Sequence, residues 1–344
     1  MPVNSPRRRS TWESRVSDLA SFLLVVMLTV FFGSCAGGSD VPDPYEPLRD
    51  ELAPFAENER SETSSIRGRY SNCDGNTPGV IHDTWGFPSL QGTMAVHVWR
   101  TPPDSGSDSA PLSPQPGTVL LVHGYVASPC ELTPVIGMLL QAGYVVVAPE
   151  LPGHGLSDGP RGDIGAFQDY GQFLIDLDPI LFSFPAPFHV VAHSTGASAI
   201  IERLRIGDDP YDRIVLLAPL VRPRGYGSSR IFRWVTRPLI STIPARNARE
   251  FGFDRIPLHW FDALVEWNKE LEQTEPPISR REVLIIQGRS DRVVAWRYNL
   301  RALTTMFPSG EQIEVVDLAH VPSKRTEPGQ RAIAEILRYL TEAE

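Results

Sequence analysis

The segment Val190-Val-Ala-His-Ser194-Thr-Gly196-Ala-Ser-Ala199 decides how this chain is read. An apolar run passes straight into His-Ser-Thr-Gly, and a stretch of small residues follows. A strand that turns at once into a helix leaves room only for small neighbours, so Ser194 should project alone beyond the strand's C-terminal end. A serine so presented is a candidate nucleophile. The first N–H groups of the helix behind it face any anion that forms there. The usual form of this turn is G-x-S-x-G, and here Ala192 stands at the first glycine position.

A hydroxyl is a weak nucleophile until a base takes its proton, and that base must itself be held by a third group. For a serine on such a turn, the chain order is Ser, then acid, then His. The run Val283-Leu-Ile-Ile286 leads through Gln287-Gly-Arg-Ser290 to Asp291. The run Ile313-Glu-Val-Val316 leads through Asp317-Leu-Ala319 to His320. Both residues fall at the sheet edge where ligands bind in open α/β folds. The expected roles are Ser194 as nucleophile, His320 as general base and Asp291 as the acid that orients it. Asp317 sits too near His320 along the chain and reads as a loop residue. His193 is expected to point away from the catalytic face, and His154, in Pro152-Gly-His-Gly155, to brace a loop. Acyl transfer also needs donors for an oxyanion. The candidates are the N–H of Thr195 and that of Tyr125, in His123-Gly124-Tyr125 behind the run Thr118–Val122.

Around these motifs the chain alternates apolar runs with glycine-punctuated helical stretches. The runs are Thr118–Val122, Tyr144–Ala148, His189–Ala192, Arg213–Leu217, Val283–Ile286 and Ile313–Val316. Unbroken Val/Ile/Leu runs between helices predict a mostly parallel central sheet with helices on both faces, an α/β fold. Met94–Arg100 alternates as a half-buried strand does. About residues 221–276 the rhythm breaks, with Ile231, Phe232, Trp234, Val235, Trp260, Phe261, Leu264 and Trp267 at roughly helical spacing. A small helical cap is expected there, its aromatic stripe serving as packing or as a pocket.

From His123 onward, about two thirds of the chain, the sequence resembles the monoacylglycerol lipase/lysophospholipase-like branch of the α/β-hydrolase superfamily, which includes serine aminopeptidase-like hydrolases. The resemblance rests on His123-Gly124, Gly153-His-Gly-Leu-Ser157, His193-Ser-Thr-Gly196 and Gly288-Arg-Ser-Asp-Arg-Val-Val294. It implies the α/β-hydrolase fold and an acyl-enzyme on Ser194. It also implies ester substrates, lipid-like ones such as monoacylglycerols or lysophospholipids among them, and no cofactor. Peptidases of the superfamily share the pattern. Such a peptidase would need cap carboxylates to grip an α-amino group, and Glu250, Asp254, Asp262 and Glu266 are available. A non-catalytic envelope lipoprotein would be expected to have lost a triad position, and all three are present. A dehalogenase would carry Asp at the turn. Residues 1–90 lie outside the resemblance.

Composition sets the remaining bounds. With 344 residues, 42% hydrophobic, 21% charged and a net charge of -9, the chain is an ordinary globular one without a basic face for nucleic acid. No pair of residues has metal-ligand spacing such as H-E-x-x-H. Residues 1–35 join Arg7-Arg-Arg9 to an apolar run, Leu19–Phe32, and close on Phe32-Gly-Ser-Cys35. This reads as a secretory signal resembling a lipobox, with Cys35 as the lipidation site. The alternatives are an uncleaved membrane anchor, since Leu19–Ala36 is near the lower length limit for a span, and an ordinary cleaved signal. All three predict export to a bacterial cell envelope, and the lipobox and anchor readings add membrane attachment. Residues 36–65, rich in Pro, Gly, Ser and acid, read as a flexible tether, and 66–344 as the catalytic domain. An oxidising compartment would permit a disulfide between Cys73 and Cys130; the other reading is two buried thiols. No feature speaks to oligomeric state.

Overall fold

Runs without polar alternation must bury both faces, and they fill the middle of the sheet. The computed structural model describes residues 60–61, 70, 73–101, 116–236, 239–245 and 253–342. Its strands are β1 (Arg60–Ser61), β2 (Ile81–Ser89), β3 (Gly92–Arg100), β4 (Thr118–Val122), β5 (Val145–Pro149), β6 (Phe188–His193), β7 (Arg213–Leu217), β8 (Thr242–Pro244), β9 (Arg255–Pro257), β10 (Val283–Gly288) and β11 (Glu311–Val315). Nine of them form one sheet in the order β1-β2-β3-β5-β4-β6-β7-β10-β11. The pairings from β1 to β5 along that order are antiparallel, and all the rest are parallel. The expected α/β architecture is therefore present. Register brings the ends of β4, β6 and β7 level, with Val122 opposite Ala192 and Ala192 opposite Leu216.

Two cores follow from the period of two along each strand. Leu120, Val122, Val190 and Ala192 face one side, with Phe173, Leu174, Ile200 and Leu303. Val119, Leu121 and Val191 face the other, with Val135, Leu139, Ile336 and Tyr339. The first side is covered by α2 (Gln168–Asp176), α3 (Thr195–Ile206) and α6 (Trp296–Met306), the second by α1 (Thr133–Gln141) and α7 (Glu327–Thr341).

Between β7 and β10 lies the cap, with α4 (Tyr226–Thr236), β8, β9 and α5 (His259–Gln273). It is not purely helical, because β8 and β9 pair antiparallel. Along α5, Trp260, Leu264, Trp267 and Leu271 recur on one buried face. Trp267 stacks on Phe167 at 5.0 Å and donates its indole N–H to Glu202 at 2.8 Å, while Trp260 donates to the Tyr170 hydroxyl at 3.1 Å. On this helix the aromatic stripe is packing that clamps the cap to the body. On α4, by contrast, Ile231 and Trp234 are 66% and 82% exposed.

Some boundaries differ from the sequence reading. β10 continues to Gly288, and β11 ends at Val315, leaving Val316 57% exposed. β2 was not expected, because His82-Asp-Thr-Trp-Gly-Phe-Pro88 lacks clean alternation. It is held by β3 over all nine residues. Arg60 and Ser61, within the stretch read as tether, pair with Trp85 and Thr84 of β2. Backbone hydrogen bonds to a free strand edge carry no side-chain signature, which is why the sequence did not reveal this pairing. Cys73 and Cys130 are joined by a disulfide with a Cα–Cα separation of 4.8 Å, tying the segment before β2 to the turn before α1. Residues 1–35 with Cys35, and the remainder of the tether, lie outside the described residues. Among the described residues, no helix is long and apolar enough to cross a membrane.

Candidate active site

Ser194 sits between β6 and α3 with φ 51° and ψ −112°, in the sparsely populated positive-φ region. Such a conformation costs about 1–3 kcal/mol and persists only where its surroundings dictate it. They do so here. The Ser194 N–H donates to Leu217 O at 3.0 Å, and its carbonyl accepts from Ala197 and Leu220, each at 3.1 Å. Gly196 is obligatory for packing, because a Cβ there would run into the carbonyl oxygens of Val122 and His123. The small residues of the motif thus let α3 lie directly on the end of β4.

The acid and the imidazole arrive from β10 and β11. His320 Nε2 is 3.0 Å from Ser194 Oγ, and His320 Nδ1 is 2.8 Å from Asp291 Oδ2. The Asp291 Oδ1 accepts from the N–H groups of Val293 and Val294 at 2.7 and 3.1 Å, and Gln287 donates to Oδ2 at 3.1 Å. Burial alone would raise the Asp291 pKa. The hydrogen bond and charge of His320, with the two N–H groups, together hold it below the usual value. Asp291 is therefore a carboxylate, and it fixes the proton of His320 on Nδ1, leaving Nε2 to accept from Ser194. Asp317 is exposed, with its side chain 3.5 Å from the Ser290 hydroxyl. The structure thus brings Ser194, His320 and Asp291 together and leaves Asp317 outside.

The loop after β4 selects one N–H by committing its neighbours. Gly124 N–H donates to the Glu131 carboxylate, and Val126 N–H donates to His154 Nε2 at 3.0 Å. Between them, the Tyr125 N–H has no acceptor among the described residues, and neither has the N–H of Thr195. Burial, reinforced by neighbouring His123, drives the His154 pKa well down, so this imidazole is the neutral acceptor that Val126 needs. Val126 is held at φ 50°, costly for a β-branched residue. His154 therefore braces a loop, the role expected of it. The Tyr125 ring stacks on Trp260 of the cap at 3.9 Å, and its hydroxyl donates to Gly162 O at 2.6 Å. The cap thereby grips the same loop.

His193 departs from expectation. Its ring lies 4.7 Å from that of His320, donates from Nε2 to the His320 carbonyl at 3.0 Å, and donates from Nδ1 to Glu131 at 2.9 Å. Both nitrogens donate, so this is an imidazolium. Burial opposes its charge, but the Glu131 charge and hydrogen bond outweigh that and raise its pKa. Burial likewise opposes the Glu131 charge, which His193, His123 and the Gly124 N–H restore, lowering its pKa. Gly124 is glycine because a Cβ would come within 3.0 Å of both Glu131 and His193. Glu131 thus ties the Tyr125 loop to the His320 loop. The sequence reading missed it, although it is the sole acid between His123 and Glu150. Glu131→Ala is expected to lower kcat about 10- to 100-fold, with KM affected far less, because misplacing reacting groups by an ångström has costs of that order. Steady-state kinetics beside a melting curve checks this; an unchanged kcat in a folded variant would refute the coupling.

The geometry brings together a serine hydroxyl, an imidazole, a carboxylate that orients the imidazole and two uncommitted N–H groups. Among the described residues, no group of three or more His, Cys, Asp or Glu could hold a metal ion. Residues 119–335 match the model of a family described as the alpha/beta hydrolase family. No curated protein matches the chain. Solved structures do. A carboxylesterase, CesB, from Bacillus subtilis is 16% identical with a TM-score of 0.52, covering 81% of this chain and 98% of that one. A soluble variant of monoglyceride lipase from Saccharomyces cerevisiae, bound to a substrate analog, is 13% identical with a TM-score of 0.57, covering 76% and 96%. A monoacylglycerol lipase from Paleococcus ferrophilus is 20% identical with a TM-score of 0.51, covering 66% and 95%. At such identities these likenesses speak for the fold.

Proposed function

The chain belongs to the alpha/beta hydrolase family, and we propose that it is a serine hydrolase of carboxylic esters, working through an acyl-enzyme on Ser194. The observation that carries this is the chain of contacts from Ser194 Oγ through His320 to Asp291, at 3.0 and 2.8 Å, beside two uncommitted N–H groups. Ser194 Oγ attacks the ester carbonyl as His320 Nε2 takes its proton. The N–H groups of Tyr125 and Thr195 hold the oxyanion, and His320 then protonates the leaving alcohol. Water, deprotonated by His320, releases the acid by the same route. Asp291 keeps the required tautomer and stabilises the imidazolium that forms.

Lipid-like esters, monoacylglycerols or lysophospholipids, are the proposed substrates, supported by the lipases and esterases among the structural neighbours. The peptidase reading has less support. Asp262 is bound by Arg233 through both oxygens, and Glu266 pairs with Lys269 at the surface. Asp262 is thereby committed within the cap, and Glu250 lies outside the described residues. Export to a cell envelope, with attachment through Cys35 or the apolar segment before it, completes the proposal. The Cys73–Cys130 disulfide supports it, since such bonds persist in oxidising compartments.

The test is a series of esters of increasing acyl length beside aminoacyl amides. Rates that rise toward medium or long acyl chains are expected, because each buried methylene contributes about 0.8 kcal/mol. Turnover confined to the amides would replace this reading with the peptidase.

A further inference from the structure

Behind the acid loop lies a groove of about 600 Å3 whose lining includes Arg224, Arg289, Arg292, Arg297 and Arg301. All five are exposed, in a chain of net charge -9. Glu314 approaches Arg289 at 3.6 Å, and no carboxylate pairs with the other four among the described residues. Asp291, the one acid of the lining, is turned to His320.

Several local rules are broken here together. Arg297 and Arg301 lie one turn apart on α6, a like-charge spacing that destabilises a helix. Arg297 stands in the first turn, at the positive end of the helix dipole, where a cation is disfavoured. That turn has no acid, and Ala295 before it provides no side-chain cap. Arg224 is added from the far side, its N–H bonded to Val293 O at 2.8 Å. Residues that defy local preference in concert are expected where function requires it. A bound anion would relieve every one of these conflicts at once.

We propose that this groove is a binding site for a phosphate ester, a mono- or diester carrying a small polar group. Guanidinium forks match phosphate oxygens in pairs, and five arginines from three segments line this groove, Arg297 with its guanidinium 4.0 Å over the Trp296 ring. The volume exceeds what a bare phosphate needs and leaves space for an attached group. The phosphate ester is either a phospholipid headgroup at a membrane surface or a soluble organic phosphate. Ser194 and His320 are not part of the lining, so the site does not rest on the esterase reading.

Calorimetry with sn-glycerol 3-phosphate, with glycerol as the blank, probes the soluble source. Sedimentation of the full chain with phosphatidylglycerol or phosphatidylcholine vesicles probes the lipid source. The variants are Arg297→Gln with Arg301→Gln, and as an equal-charge control Arg325→Gln with Arg331→Gln. Wild type is expected to bind at least one phosphate ester, and the groove variant at least about tenfold more weakly, as lost charge-assisted bonds demand. Glycerol phosphate binding identifies a soluble ligand. A preference for phosphatidylglycerol that only the groove variant loses identifies the headgroup, since any contribution of the N-terminal segment is common to all the proteins. Ser194→Ala should bind as wild type does, which separates this result from the fate of the esterase reading. Without ligand the groove variant should melt close to wild type, because relief of the repulsion between Arg297 and Arg301 offsets the loss of Arg297 from the Trp296 ring, 4.0 Å away. Absence of binding in both arms, or equal losses in the control, would overturn the proposal.

Discussion

Ser194→Ala is expected to lower kcat by about 10⁶-fold, the scale seen when the nucleophile is removed from a serine protease working through the same three roles. The size of the loss follows from the reaction path. Without Oγ there is no acyl-enzyme, and only the oxyanion donors and substrate binding remain to assist direct attack by water. The fold should survive. Alanine keeps the Cβ, so the strained φ of 51° is no worse occupied, and the backbone bonds that hold the turn involve no side chain. The variant loses only the Oγ contact with His320, a net term of about 1 kcal/mol for an ordinary hydrogen bond. Two measurements check this, ester turnover and labelling by a phosphonate ester that reacts with activated serines. Wild type should label once per chain and the variant not at all. Turnover within a few-fold of wild type would remove Ser194 from the mechanism.

The reach of the sequence reading follows from how each residue acts. Ser194, Asp291 and His320 each stand at the end of an apolar strand, and each strand is legible by itself, so their meeting required only that the strands be parallel neighbours. Register then set the distances, with β7 pairing to both β6 and β10 and β11 lying beside β10. Tyr125 was legible in the same way, from the glycine turn behind β4. Glu131 and His193 were not. Their roles depend on a turn between β4 and α1 folding back over the nucleophile, a tertiary contact that leaves no periodicity behind. The strand-long pairing of β2 was hidden for the same reason, and so were the partners of Trp260 and Trp267, whose packing role was one of the two readings of the stripe. Local pattern sets which faces are buried, but not which partner buries them.

Asp291→Asn should lower kcat by about 10⁴-fold, and Asp317→Asn should leave it nearly unchanged, as is usual for exposed changes away from a network. The contrast rests on hydrogen-bond accounting. Oδ1 of Asp291 accepts from two N–H groups, those of Val293 and Val294. An amide replacing the carboxylate must keep its oxygen there, because its NH2 would meet two donors. Its NH2 then takes the position of Oδ2, facing His320 Nδ1 and displacing the bond from the Gln287 amide, a side chain that can yield where the two backbone donors cannot. That nitrogen must now accept, so the proton moves to Nε2, the atom that has to take the proton of Ser194. The base is present but in the wrong tautomer, and the imidazolium formed in the reaction has lost its counter-charge. The substitution also alters stability against pH. The lowered pKa of Asp291 means that its stabilising contribution is present above the unfolded-state value and is lost as pH falls through the folded-state value. Wild type should therefore lose its stability advantage over Asp291→Asn on acidification below the ordinary carboxylate range, and hold it at neutral pH. Kinetics of both asparagine variants, with melting curves at neutral and acid pH, would test this. A severe loss in Asp317→Asn with activity kept in Asp291→Asn would reassign the acid.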